Sequence, residues 1–127
     1  MNREKIAELY RHYELTKDDV FKHKHYLIVT RSGIEKIQAK EGLKVAFEVI
    51  RCEPDFAVVK AMTKDMETFG SAKYGDYKTG NVSQWYIIET AEKRALSRIV
   101  LKTVGFYQLG VFGEDESEEF QKTNNNN

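Results

Sequence analysis

The stretch Trp85 to Gly105, WYIIETAEKRALSRIVLKTVG, constrains this chain more than any other. It reads as one long helix, apolar around most of its circumference, so it must be held against other elements. A single row breaks the pattern. Arg94, Arg98 and Lys102 recur at i, i+4 and i+8. At about 100° per residue they share an arc of roughly 80°, with Lys93 at its edge. Ile88, Ala95 and Ile99 flank that arc, and Leu96, Val100 and Val104 lie beyond them. The row is either the solvated edge of a packed helix or a track for a polyanion.

What the helix packs on is written upstream. From Leu43 the apolar period falls to two: Leu43, Val45, Phe47 and Val49 alternate with Lys44, Ala46, Glu48 and Ile50, which is a strand with one apolar face. Glu53-Pro54-Asp55 is a turn holding the only proline. Phe56 to Lys64 reads as a second strand and Met66 to Lys73 as a third. In the second, Ala57, Val59 and Ala61 share one face, and the other sets Phe56, Val58 and Met62 beside Lys60 and Lys64. The expected class is α+β: a three-stranded antiparallel meander packed against a long C-terminal helix, a β-β-β-α core, with helices at the N-terminus.

Ahead of the meander, Ile6, Leu9, Tyr10 and Tyr13 have helical spacing within Asn2 to Tyr13. Thr16, followed by Asp18 and Asp19, predicts a capped short helix through Phe21. Residues 25–30, HYLIVT, predict a strand. Ser32 with Glu35 forms a capping box for a helix from Gly33 to Glu41, stopped by Gly42. Lys73 to Ser83 carries no period and is expected to be an exposed loop. After Gly105, the residues Phe106, Tyr107, Leu109, Val111 and Phe112 are too apolar for solvent and form a docking segment. Five acids then crowd Glu114 to Glu119. These features give one domain over 1–112 and an acidic, disordered tail over 113–127.

Charge sharpens that division. The whole chain has 20 Lys/Arg and 20 Asp/Glu, but the acids concentrate in the tail and leave residues 1–108 mildly basic. Such a body is compatible with a polyanion partner. No apolar run reaches the roughly 18 residues of a membrane span. The lone Cys52 and the missing leader favour a reducing, intracellular setting.

Catalytic and metal-binding chemistry finds little support. His23 and His25 form an H-x-H pair with no second ligand cluster, and His12 has no Glu partner at i+4. Cys52 lies in no nucleophile motif and reads as a buried structural thiol. Pro54-Asp55 followed by Asp76-Tyr77-Lys78 imitates a Mg²⁺-dependent nuclease pattern, but its second half falls in a Gly-flanked loop where rigid geometry is hard to hold. No phosphate-cradling or dinucleotide fingerprint occurs, so no cofactor is expected.

Single-stranded nucleic acid needs cations along its phosphates and rings against its bases. The loop offers Lys73, Tyr74, Tyr77 and Lys78. The long helix offers Lys93, Arg94, Arg98 and Lys102, and the second strand Lys60 and Lys64. If the helix crosses the meander, these ten side chains can line one groove.

The order of elements, with GIEKIQAKEGLKVAFEVI leading into the sheet and AEKRALSRIVLKTVG closing it, resembles the Rad52-like single-strand annealing proteins of phages and eukaryotes. Ala91, Arg94, Ala95, Leu96, Arg98, Leu101 and Gly105 match that family's helix run, and the likeness covers roughly residues 31–105. It implies ATP-independent binding and annealing of single-stranded DNA in recombination, homo-oligomeric rings or filaments, and a bacterial or phage-infected cytoplasm. Arg98 and Lys102 would face the DNA backbone. The acidic tail is then a partner-binding or DNA-mimicking segment, or a plain solubility tail. The competing readings are a non-enzymatic adaptor that docks through its apolar C-terminal segment, and a Mg²⁺-dependent nuclease.

Overall fold

The computed structural model describes residues 2–75, 80, 82 and 86–116. Helix α1, Arg3–His12, is capped by Asn2, whose side-chain oxygen accepts the Lys5 amide at 3.0 Å. Its Ile6 is buried, and Leu9, Tyr10 and Tyr13 pack in the same core, as their spacing predicts.

The helix expected from Thr16 to Phe21 is absent. The chain turns there and enters strand β1, Val20–His23. The signals of an N-cap are also those of a polar turn, and here the acid points inward. The buried Asp19 carboxylate accepts the Thr16 amide at 2.8 Å and the Thr16 hydroxyl at 3.1 Å. Strand β2, Tyr26–Val29, returns antiparallel to β1. Helix α2, Arg31–Glu41, follows. Its cap is Thr30, whose hydroxyl accepts the Gly33 amide, while Ser32 sits in the first turn and donates to Asp19 at 2.6 Å. Gly42 ends the helix at φ 62°, the left-handed stop its position suggests.

Strands β3, Ala46–Glu53, β4, Phe56–Met62, and β5, Glu67–Lys73, form the antiparallel meander. Leu43 and Val45 precede β3 and pack into the core. Helix α3, Ile87–Val104, packs on β4 and β5, so the expected meander-and-helix architecture is present. The two surfaces meet through small side chains. Ala57, Ala61 and Ala72 on the sheet and Ala91 and Ala95 on the helix are fully buried. Gly70 makes the closest approach: a Cβ there would lie within 3.0 Å of the Ala91 carbonyl oxygen, the Ala95 amide nitrogen and Arg94 Cβ.

Beyond α3 the chain turns at Gly105, buries Phe106 and passes through a 3-10 turn, Tyr107–Leu109. Strand β6, Val111–Gly113, then pairs in parallel with β2. The apolar segment therefore docks by completing a second three-stranded sheet, in the order β1-β2-β6. Its Gly113 leaves no room for a Cβ beside Ser97 of α3, so α3 touches both sheets. The ordered body also runs past residue 112. Glu114–Glu116 form a second 3-10 turn, with Glu116 only 1% exposed. Residues 117–127 lie outside the described residues.

Candidate nucleic-acid interface

The cation row of α3 divides on folding. Arg94 is 2% exposed and belongs to the core beneath Gly70. Arg98 is bound on two sides: Nη1 donates to the Phe69 carbonyl at 2.9 Å, and Nη2 meets the Glu116 carboxylate at 3.0 Å. Lys93 is exposed. Lys102 is half-buried, with its ammonium 5.1 Å from the centre of the Tyr107 ring. One row in sequence thus holds a core residue, a tether and two surface cations.

The first three tail acids explain the tether. The Glu114 carboxylate accepts the Arg31 amide at 2.6 Å, on the first turn of α2, where an anion offsets the helix dipole. Asp115 accepts the Ser97 hydroxyl at 2.8 Å, and Glu116 meets Arg98. These carboxylates fasten the end of the second sheet to α2 and α3.

The other predicted cations are dispersed. Lys60 pairs across β4 with Phe69, on the sheet face away from α3, and lies 3.8 and 3.7 Å from Glu48 and Glu67. It therefore shares no groove with the α3 cations. Lys64 lines an open cleft of about 690 Å³ with Glu41, Lys44, Asp65 and Thr103. Lys73 and Tyr74 are exposed at the end of β5. The expected loop is partly structured: the Tyr74 amide donates to the Asp55 carbonyl at 2.8 Å, Tyr74 bridges to Val82, and Gly80 and Val82 are buried. Tyr77 and Lys78, like Asp76 of the nuclease-like pattern, lie outside the described residues. Cys52, expected to be buried, is exposed on β3.

A different surface brings rings and cations together. On the β1-β2-β6 sheet, Phe21, Ile28 and Phe112 share a row, as do His23 and Tyr26. Leu27, Val29 and Val111 face inward on the same strands and pack in the main core. On the opposite face Ile28 is fully buried, and a line of ring contacts runs from the β1–β2 turn to the half-buried Tyr107, which also packs against the main core. His25 lies 4.4 Å from Tyr26, Tyr26 6.1 Å from Phe112, and Phe112 5.1 Å from Tyr107, centre to centre. Lys102 closes one end of this line, and the exposed Lys24, in the β1–β2 turn, lies at the other. Phe21 beside it is 41% exposed. Sequence reasoning missed this face because β6 pairs with a strand far away in the chain. The apolar content of residues 106–112 was its one local sign.

Among the described residues no three His, Cys, Asp or Glu side chains converge on a metal position, and no helix is long and apolar enough to cross a membrane. The perturbation of the buried Asp19 carboxylate is structural. Burial alone would raise the Asp19 pKa, but the Lys36 ammonium at 2.6 Å, the Ser32 hydroxyl and the Thr16 amide and hydroxyl hold it well below the usual carboxylate range. No protein-family model, curated protein or solved structure matches this chain.

Proposed function

We propose that this chain binds single-stranded DNA and anneals complementary strands without ATP, as a homo-oligomer, a ring or filament in the assembled state. The observation that supports the binding step is the ring line from His25 through Tyr26, Phe112 and Tyr107 to Lys102. Bases stack on rings at about 1–3 kcal/mol each, and cations beside the rings hold the phosphates. The site therefore moves from the middle of α3 to its C-terminal end and the ring-bearing face of β1-β2-β6. Lys102 is shared with the sequence-based assignment, Lys93 adds charge on the exposed side of α3, and Arg98 acts through position. The acids beyond Glu116 serve this reading as a segment that competes with DNA or recruits a partner.

The test is fluorescence anisotropy with a labelled oligothymidylate at two salt concentrations. Affinity should fall steeply with salt. Exchanging Tyr107 for Leu and Lys102 for Ala together should weaken it about tenfold or more. No binding at low salt, or unchanged affinity in that double variant, refutes the reading. The adaptor alternative predicts the first of those results. Annealing itself is scored by pairing of two complementary labelled strands with no nucleotide added.

A further inference from the structure

Strand β3 is the one element of the meander that α3 leaves uncovered. All eight of its residues are exposed, and they include Phe47 at 38%, Val49 at 57% and Ile50 at 48%. Among the described residues only β4 pairs with it, so its outer backbone edge is open. An open, apolar edge strand is a template for pairing with another strand.

The β3 sequence specifies which strand fits. Its partners on β4 put Phe47, Val49 and Cys52 on the α3 side and Glu48, Arg51 and Glu53 on the other, because the register slips by one residue between Val49 and Arg51. The extra residue is Ile50, a bulge. Residues directly opposite in an antiparallel pair share a face. A strand with such a slip meets its own copy with faces matched along its whole length only if the two-fold axis passes through the bulge. With the axis just after Ile50, Glu48 would oppose Glu53 of the second copy. With the axis just before it, Glu48 opposes Arg51, twice by symmetry. Phe47 then faces Cys52, and Val49 faces Ile50. Charge decides between the two positions.

We propose that β3 pairs antiparallel with β3 of a second copy of this chain, about a two-fold axis between Val49 and Ile50, joining two meanders into one six-stranded sheet. Such a contact is isologous and closes at two copies, so any larger ring or filament needs a further surface. The pairing stands independently of the DNA reading, because its test contains no nucleic acid.

Sedimentation velocity across a hundredfold range of protein concentration reads it out. The wild-type chain should move to twice the monomer mass as concentration rises. Glu48→Arg sets Arg against Arg at two places and Arg51→Glu sets Glu against Glu, and each should raise the dimer dissociation constant about tenfold or more. The double variant E48R/R51E re-forms both pairs and should recover to within about threefold of wild type. Circular dichroism checks that each variant keeps its fold, which exposed positions on an edge strand allow. A wild-type chain that stays monomeric at the highest concentration overturns the proposal, and so does pairing of β3 with residues 117–127 of its own chain. Dimers unaffected by either single reversal overturn it as well. A ready Cys52-to-Cys52 crosslink would place the axis at Cys52 and sink this register.

Discussion

Gly70→Ala tests the close seating of α3 on the meander. The added methyl would meet three atoms of α3 within 3.0 Å, two of them backbone. Comfortable carbon contacts lie near 3.5–4.0 Å, so helix and strand would have to part by about 1 Å. Neither can rotate the obstruction away, because a helix backbone has no alternative rotamer. Overpacking of this kind costs about 1–3 kcal/mol. Separation also stretches two bonds across the same seam: the Thr68 hydroxyl to the Ala95 carbonyl at 2.8 Å, and Arg98 to the Phe69 carbonyl at 2.9 Å. Losing the better part of one such bond adds about 1 kcal/mol. Against this, alanine is favoured over glycine within a strand by roughly 0.5–1 kcal/mol. The net expectation is a loss of about 1–3.5 kcal/mol, or a fall in Tm of roughly 3–14 °C for a domain of this size. Calorimetry with a urea titration measures both quantities. A variant within about 2 °C of wild type would mean that the helix does not sit on the strand as described.

Two further outcomes follow from the buried charges. Arg98→Ala removes the ion pair with Glu116 and the hydrogen bond to the Phe69 carbonyl, and should cost about 1–3 kcal/mol in urea denaturation. A cost below about 0.5 kcal/mol would return Arg98 to the role of a simple surface cation. Asp19 should make the fold acid-sensitive. Its folded pKa is depressed, so its stabilisation is complete above the unfolded carboxylate pKa and is lost as pH falls towards the folded value. Urea midpoints should drop between about pH 5 and pH 2, and Asp19→Asn should flatten that slope while lowering stability at neutral pH. An unchanged slope in the Asn variant counts against the Lys36–Asp19 contact as the source.

Local patterns carried most of the architecture. The alternation of Ala57, Val59 and Ala61 identifies the face that meets α3, and Gly42 and Gly105 stop their helices because each lies just after the last apolar turn. Patterns failed where one local signal serves two structures. Thr16 with Asp18 and Asp19 suits a helix cap and an inward-folded turn equally, and the distant Lys36 and Ser32, which both bind Asp19, decide between them. Thr30 and Ser32 are both capping hydroxyls, and Asp19 claims the second. The site was less legible than the fold. Arg94, Arg98 and Lys102 form one row by arithmetic, but Gly70 covers the first and Glu116 holds the second. A period shows which residues share an arc, and says nothing of what a remote segment lays over it.

The parallel pairing of β6 with β2 joins Val111 to Leu27, and this sets an order of events during synthesis. The β1–β2 hairpin leaves the ribosome early, yet its inner edge and the Ser97 side of α3 stay uncovered until Gly113 has emerged. Contacts between such distant residues form slowly, because a long loop must close before any pairing rewards it. For that interval the nascent chain offers an unpaired strand edge to its neighbours on the same messenger, a hazard that grows with crowding along a polysome. A chain stopped at residue 110 would be held permanently in that exposed state and would also lose the Glu114, Asp115 and Glu116 contacts, so that truncation should sharply reduce soluble yield.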